Sequence, residues 1–167
     1  VWVHLHGVDA ALTTENYRTA NFKSVDAYTE DKWLPLARGV SPCPGCANDC
    51  MKIFHTDADL DPRASAMHQE VAGTLGPNIG TTDIRVLMRF NNLCNQWGLD
   101  PVSLGFTLSF AMEAFENGLL TTDDTGGLDL RFGQPDTALE MTRRIVQREG
   151  LGDILAEGSK RAAAKIE

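Results

Sequence analysis

Residues 82–118 read TDIRVLMRFNNLCNQWGLDPVSLGFTLSFAMEAFENG. Ile84, Val86, Leu87, Phe90, Leu93, Cys94 and Trp97 recur at the spacing that gathers apolar side chains into one wide helical stripe. Thr81 or Thr82 starts this helix, and Gly98 stands where a helix commonly ends on a glycine. Pro101 restarts a helix at its first turn, and that helix runs through Leu104, Leu108, Met112 and Phe115 to Asn117-Gly118. Two long helices joined by a tight corner set the fold class as all-α and multihelical.

Outward from this pair the same period persists, with little alternation at period two. Toward the C-terminus, Thr121 to Gly133 reads as a polar, glycine-rich loop. Pro135 to Glu149 reads as a helix, and Gly152 to Ile166 as the last one. Toward the N-terminus, Ser65 to Leu75 is a short helix ending at Gly76-Pro77, and His55 to Ser65 an acidic loop. Asp26 to Arg38 is a helix broken by Pro35, and Thr14 caps a helical stretch to Phe22. No repeat or low-complexity tract interrupts the chain, so residues 1–167 read as a single domain.

Composition narrows the function classes. The chain has 167 residues, 43% of them hydrophobic, and a formal charge of −8. That charge, without a Lys/Arg block, argues against a nucleic-acid partner. No apolar run approaches the roughly 18 residues of a membrane span. The start, Val1 to His6, has no basic n-region and is not read as a signal peptide. It also lacks an initiator Met, so a piece of something longer is expected. Clustered cysteines suit a reducing compartment, and the expected location is the cytoplasm.

The densest chemistry lies in Cys43-Pro-Gly-Cys46-Ala-Asn-Asp-Cys50. Such spacing lets one loop wrap three thiolates around an inorganic centre, with Pro44-Gly45 making the bend. Three readings stand: clustered buried cysteines, a zinc site with His55 as fourth ligand, and a [4Fe–4S] cluster, which the spacing favours. The order of spacings, two then three intervening residues, reverses that of a radical-generating S-adenosylmethionine motif. Cys94 is the internal candidate for a fourth ligand, but on an amphipathic helix it reads rather as a small core residue.

The cysteine run resembles the cluster-binding motif of the tungsten-dependent aldehyde:ferredoxin oxidoreductases. Other segments match that family in order. Thr13-Thr14-Glu15-Asn16-Tyr17 and Ala20-Asn21-Phe22 resemble the stretch leading into the cysteines, and Glu70 with Leu75-Gly76-Pro77-Asn78 resembles the family's acidic residue and Leu-Gly-Pro turn. Asn95-Gln96-Trp97-Gly98-Leu99-Asp100 resembles its pterin-contacting motif, extended by 101–105 and 112–120. Arg148 to Gly158 resembles the helix pair closing the family's middle domain.

The resemblance implies the first helical domain of a three-domain oxidoreductase, with a β-rich pterin domain before it and a further helical domain after it. Cys43, Cys46 and Cys50 would ligate a [4Fe–4S] cluster whose fourth cysteine lies in the last domain. Glu70 would be the catalytic carboxylate, as a general base. Asn95, Gly98, Leu99 and Asp100 would contact the pterin, Asp100 as an acceptor of pterin N–H groups. Asp100 also suits a helix cap before Pro101, and Asn95 replaces the family's usual Asp with an uncharged acceptor. The implied cofactors are the cluster, a tungsten (or molybdenum) bis-pterin, and a Mg2+ bridging the pterins.

His55 and His68 read as surface histidines without a role. Arg89-Phe90-Asn91-Asn92 does not fit the Glu-x-x-His iron site of some members, so no bridging iron is expected. The implied reaction is oxidation of an aldehyde to a carboxylic acid with ferredoxin as acceptor. The implied partners are ferredoxin, the aldehyde and the remaining domains, with a homodimer left open. The alternatives are reduction of an aromatic acyl-CoA, or a non-catalytic iron–sulfur or zinc-binding helical module. The chain alone is expected to be inactive.

Overall fold

A computed structural model of the chain describes residues 13–47, 50–54 and 59–166, apart from the side chain of Glu30. In chain order its elements are α1 (Glu30–Trp33), β1 (Ala37–Val40), β2 (Lys52–Phe54), α2 (Gln69–Thr74), α3 (Ile84–Trp97), α4 (Pro101–Glu116), α5 (Pro135–Gln147), α6 (Leu151–Leu155) and α7 (Ser159–Ile166). Single 3-10 turns lie at Val25–Tyr28, Leu34–Leu36 and Pro77–Ile79. The all-α expectation holds, with one small hairpin added to it.

The corner read from residues 82–118 forms as its sequence dictates. Asp83 caps α3 by accepting from the Arg85 N–H at 2.8 Å, and Gly98 ends it in the left-handed region. Asp100 caps α4, its Oδ2 accepting from the Ser103 N–H at 2.7 Å, with Pro101 at the first helical position. The apolar side chains of α4 run all round it, and it lies at the centre, touching α2, α3, α5 and α7. Leu87, Met88 and Phe90 of α3, Leu108 and Met112 of α4, and Met141 and Ile145 of α5 fill the core, and α6 and α7 close it with Leu155 and Ala162. Gly105 lets α2 approach closely: a Cβ there would stand 2.5 Å from the Thr74 carbonyl oxygen.

Four expectations for local structure give way, each for a physical reason. Residues 14–22 are not helical. Glu15, Asn16 and Tyr17 take φ of 48°, 54° and 65°, and Thr14 bridges Thr19. Long-range bonds hold that conformation: Asn16 Nδ2 donates to Glu113 Oε2 at 2.6 Å, and Ser109 Oγ donates to Asn16 Oδ1 at 3.0 Å. The stretch 26–38 breaks into short turns and then enters β1, where Pro35 has already removed one amide donor. The last helix splits into α6 and α7 at Gly158, whose φ is +85°. The helix expected over 65–75 shortens to α2, because Ser65 belongs to a turn whose Asp61 Oδ1 accepts from the Arg63 and Ala64 amides, each at 2.8 Å.

Candidate functional site

β1 and β2 pair antiparallel, with Val40 opposite Lys52, and Ser41 N–H continues the ladder to the Met51 carbonyl at 3.1 Å. The loop between them carries Cys43, Cys46 and Cys50, all exposed. Its first half is a hydrogen-bonded turn: Cys46 N–H donates to the Cys43 carbonyl at 3.0 Å, with Pro44 and Gly45 at its centre. Gly45 has φ +74°, the conformation that the third residue of a type II turn demands. The sequence reading of this bend is therefore met in the backbone. Asn48, Asp49 and the zinc candidate His55 lie outside the described residues. Among the described residues no three His, Cys, Asp or Glu side chains are gathered to hold a metal ion. The donor set nonetheless has the chemistry an iron–sulfur cluster takes: three exposed thiols on one solvent-facing loop.

Cys94 is a different kind of thiol. It is 2% exposed in the core, and burial, with the Asp100 charge adding, pushes its pKa up to about 12. A thiol so placed packs as a small apolar side chain.

Beneath the hairpin, Trp33 meets Phe54 edge-on at 6.0 Å, and Tyr28 packs on Trp33 at 5.2 Å. The buried Tyr28 hydroxyl donates to the Thr81 carbonyl, and burial raises its pKa. This aromatic base fixes where β2 runs.

From β2 the fold leads directly to Glu70. Lys52 and Met67 exchange both backbone hydrogen bonds at 2.8 Å, so an isolated bridge pins the segment entering α2 beside β2. Glu70 follows on the first turn of α2, its side chain 46% exposed. His68 Nδ1 lies 2.7 Å from Glu70 Oε2, and Gln69 Nε2 donates to Oε1 at 3.1 Å. Partial burial works to raise the Glu70 pKa, but the bonds from His68 and Gln69 outweigh it and hold the carboxyl below its ordinary value.

The α3–α4 corner is tied to the same segment. Thr74 Oγ1 at the end of α2 donates to the Pro101 carbonyl at 3.3 Å. Asn91 Nδ2 donates to the carbonyls of Ala66 at 2.6 Å and Ala64 at 3.1 Å. Asn95 Nδ2 also reaches Ala64, at 2.8 Å, and the Asn91 carbonyl at 3.0 Å. The Asn95 nitrogen is thus occupied by protein, which leaves its oxygen as the group able to accept from a ligand. Leu99 is half-buried against the core, and Gly98 and Asp100 are exposed at the corner. Hydrogen bonds from Ser103 hold the Asp100 carboxyl below its ordinary value, and the nearby His68 adds to that.

The structure thus links three of the sequence-predicted groups through one run of backbone and side-chain hydrogen bonds: the cysteine hairpin, the helix of Glu70, and the corner with Asn95, Gly98, Leu99 and Asp100. Sequence reasoning missed His68 and Asn91. His68 is not a bare surface residue, since its side chain is only 21% exposed and faces Glu70. The His-x-Glu spacing at the start of a helix was the signal that could have found it. Asn91 carried none, because its partners are backbone carbonyls of a loop remote in sequence.

Comparisons with known proteins bear on this arrangement. The family model for aldehyde ferredoxin oxidoreductase, domains 2 and 3, matches residues 1–167. The chain is 33% identical over 170 residues to a tungsten-containing aldehyde ferredoxin oxidoreductase of Pyrococcus horikoshii, covering 98% of this chain and 27% of that protein. It is 34% identical over 124 residues to the WOR-like subunit of an aliphatic sulfonate oxidoreductase of Pyrococcus furiosus, covering 73% of this chain and 20% of that one. Among solved structures, the active-site complex BamBC of benzoyl coenzyme A reductase superposes with a TM-score of 0.74 at 24% identity, over 93% of this chain and 23% of that one. That likeness shows the fold. The chain spans about a quarter of the length of these relatives.

Proposed function

The chain belongs to the aldehyde ferredoxin oxidoreductase family, and from that premise we propose that it is the first helical domain of a longer enzyme that oxidises an aldehyde to a carboxylic acid. The observation that carries the proposal is the hydrogen-bonded path from the cysteine loop through Lys52–Met67 to the helix of Glu70 and, by the Thr74 hydroxyl, on to the Asp100 corner. That path connects the cysteine loop, a depressed carboxylate and a hydrogen-bonding corner, which supports reading them as parts of one site.

In the overall reaction, aldehyde and water give the acid, two protons and two electrons, and the electrons leave singly to ferredoxin. A tungsten bis-pterin with its [4Fe–4S] cluster, when bound, supplies the two-electron oxidation and its outlet. Cys43, Cys46 and Cys50 would hold the cluster as thiolates, with the Cys43–Cys46 turn already set and a fourth ligand supplied from elsewhere in the protein. Glu70, ionised at neutral pH, takes the proton from the water that adds to the carbonyl carbon. Asp100 accepts hydrogen bonds from pterin N–H groups while its other oxygen keeps the α4 cap. Asn95 offers a further acceptor, and Gly98 and Leu99 shape the corner beside it.

The test uses the full-length protein. Glu70→Gln should cut kcat for aldehyde oxidation by about 10²-fold or more, as loss of a general base does, with iron content unchanged. Full activity in that variant would refute the role. The second reading, reduction of an aromatic acyl-CoA, rests on likeness of fold to BamBC. Assaying both substrates with the same preparation separates the two.

A further inference from the structure

We propose that His68 is a positioning residue for Glu70, holding that carboxylate aimed at its substrate; this rests on the reading of Glu70 as the base. An exposed glutamate on the first turn of a six-residue helix would ordinarily sample several rotamers. Here both oxygens are held, Oε2 by His68 at 2.7 Å and Oε1 by Gln69 at 3.1 Å.

Of the two neighbours, His68 is the anchored one. It follows Met67, whose backbone is locked to Lys52 by two bonds of 2.8 Å, and its side chain is 21% exposed. It also occupies the cap position of α2, yet its side chain makes no cap hydrogen bond. Serine, threonine, aspartate or asparagine there would bond the free helix amides. The imidazole instead turns to the carboxylate, so a helix cap is given up for this contact. An ionised carboxylate only accepts, so Nδ1 is the donor of this contact. His68 also acts electrostatically on Asp100, at the start of α4.

The test exploits the two ring nitrogens. Asparagine places an N–H donor near Nδ1, glutamine places one nearer Nε2, and alanine places none. The Glu70 carboxyl is titrated by 13C NMR in the 167-residue chain carrying His68→Asn, His68→Gln or His68→Ala, alongside the pH profile of kcat/KM in the full-length enzyme. With alanine and glutamine, the Glu70 midpoint and the acid limb of kcat/KM should rise together toward the ordinary carboxylate value. Asparagine should restore both. At neutral pH, kcat/KM should fall about tenfold with alanine through lost orientation and recover with asparagine. A Glu70 midpoint identical in all three variants would overturn the role of His68 alone. Full activity in Glu70→Gln would instead overturn the base, and with it the purpose of the contact.

Discussion

Asn91 offers the sharpest test of how the site is held together. Its side chain is 1% exposed, and its Nδ2 is the side-chain donor to the carbonyl of Ala66, itself 0% exposed. The second acceptor, the Ala64 carbonyl, keeps its 2.8 Å bond from Asn95 when Asn91 is lost. Replacement by alanine therefore orphans one buried carbonyl rather than two. Such a group costs about 1–3 kcal/mol, to which the small void left by the amide adds. We expect Asn91→Ala to lose about 2–3 kcal/mol, which for a domain of this size lowers Tm by roughly 5–10 °C. Asn91→Leu fills the space and leaves the carbonyl orphaned, so it should be no better. Urea and thermal unfolding measure the loss. Amide exchange at Lys52 and Met67 should quicken in both variants, because the segment Asn91 holds is the one bonded to β2. An Asn91→Leu variant as stable as wild type, with unchanged exchange at those amides, would refute the reasoning.

Other substitutions and titrations extend the same logic. Gly105→Ala, which in an open helix stabilises by about 1 kcal/mol, should here lower Tm, because the new Cβ meets the Thr74 backbone oxygen at 2.5 Å; a raised Tm would contradict the close approach. The Glu70 carboxyl is depressed in the folded chain, so the stability it adds is complete above the unfolded value of 4.5 and is lost as pH falls through the lower folded value. The stability gap between wild type and Glu70→Gln, followed by urea unfolding, should close on that acidic side and nowhere else. In the metal-free chain at mildly alkaline pH, a thiol reagent should modify Cys43, Cys46 and Cys50 quickly and Cys94 only after unfolding, given its burial.

How legible all this was depends on the range of the forces involved. α3, α4 and α5 could be read because local patterning and the core agree: the apolar stripe, Gly98 and Pro101 act within a few residues. Residues 14–22 could not, because Asn16 owes its left-handed backbone to Ser109 and Glu113, more than ninety positions away. The hairpin was hidden as well. β1 shows no apolar alternation, since three of its four residues are exposed, and it forms because the aromatic base positions β2 beside it. Within the site, the cysteine spacing and the Pro-Gly bend were plain in the sequence. The cap by Asp100 was plain too, since Asp before Pro is a local signal. His68 was passed over because a lone histidine is ordinarily a surface group. Its meaning emerges only when the Lys52–Met67 pairing fixes the start of α2.

The three loop thiols would hold the iron–sulfur cluster while Cys94 serves only the core. Anaerobic preparation of the full-length protein, with iron and sulfide analysis and EPR of the reduced state, tests it directly in four single Cys→Ser variants. Cys43→Ser, Cys46→Ser and Cys50→Ser should each lose or alter the cluster signal with the helical content intact, and Cys94→Ser should keep the signal at the cost of stability. A cluster undisturbed by all three loop substitutions, or abolished in a folded Cys94→Ser, would contradict it.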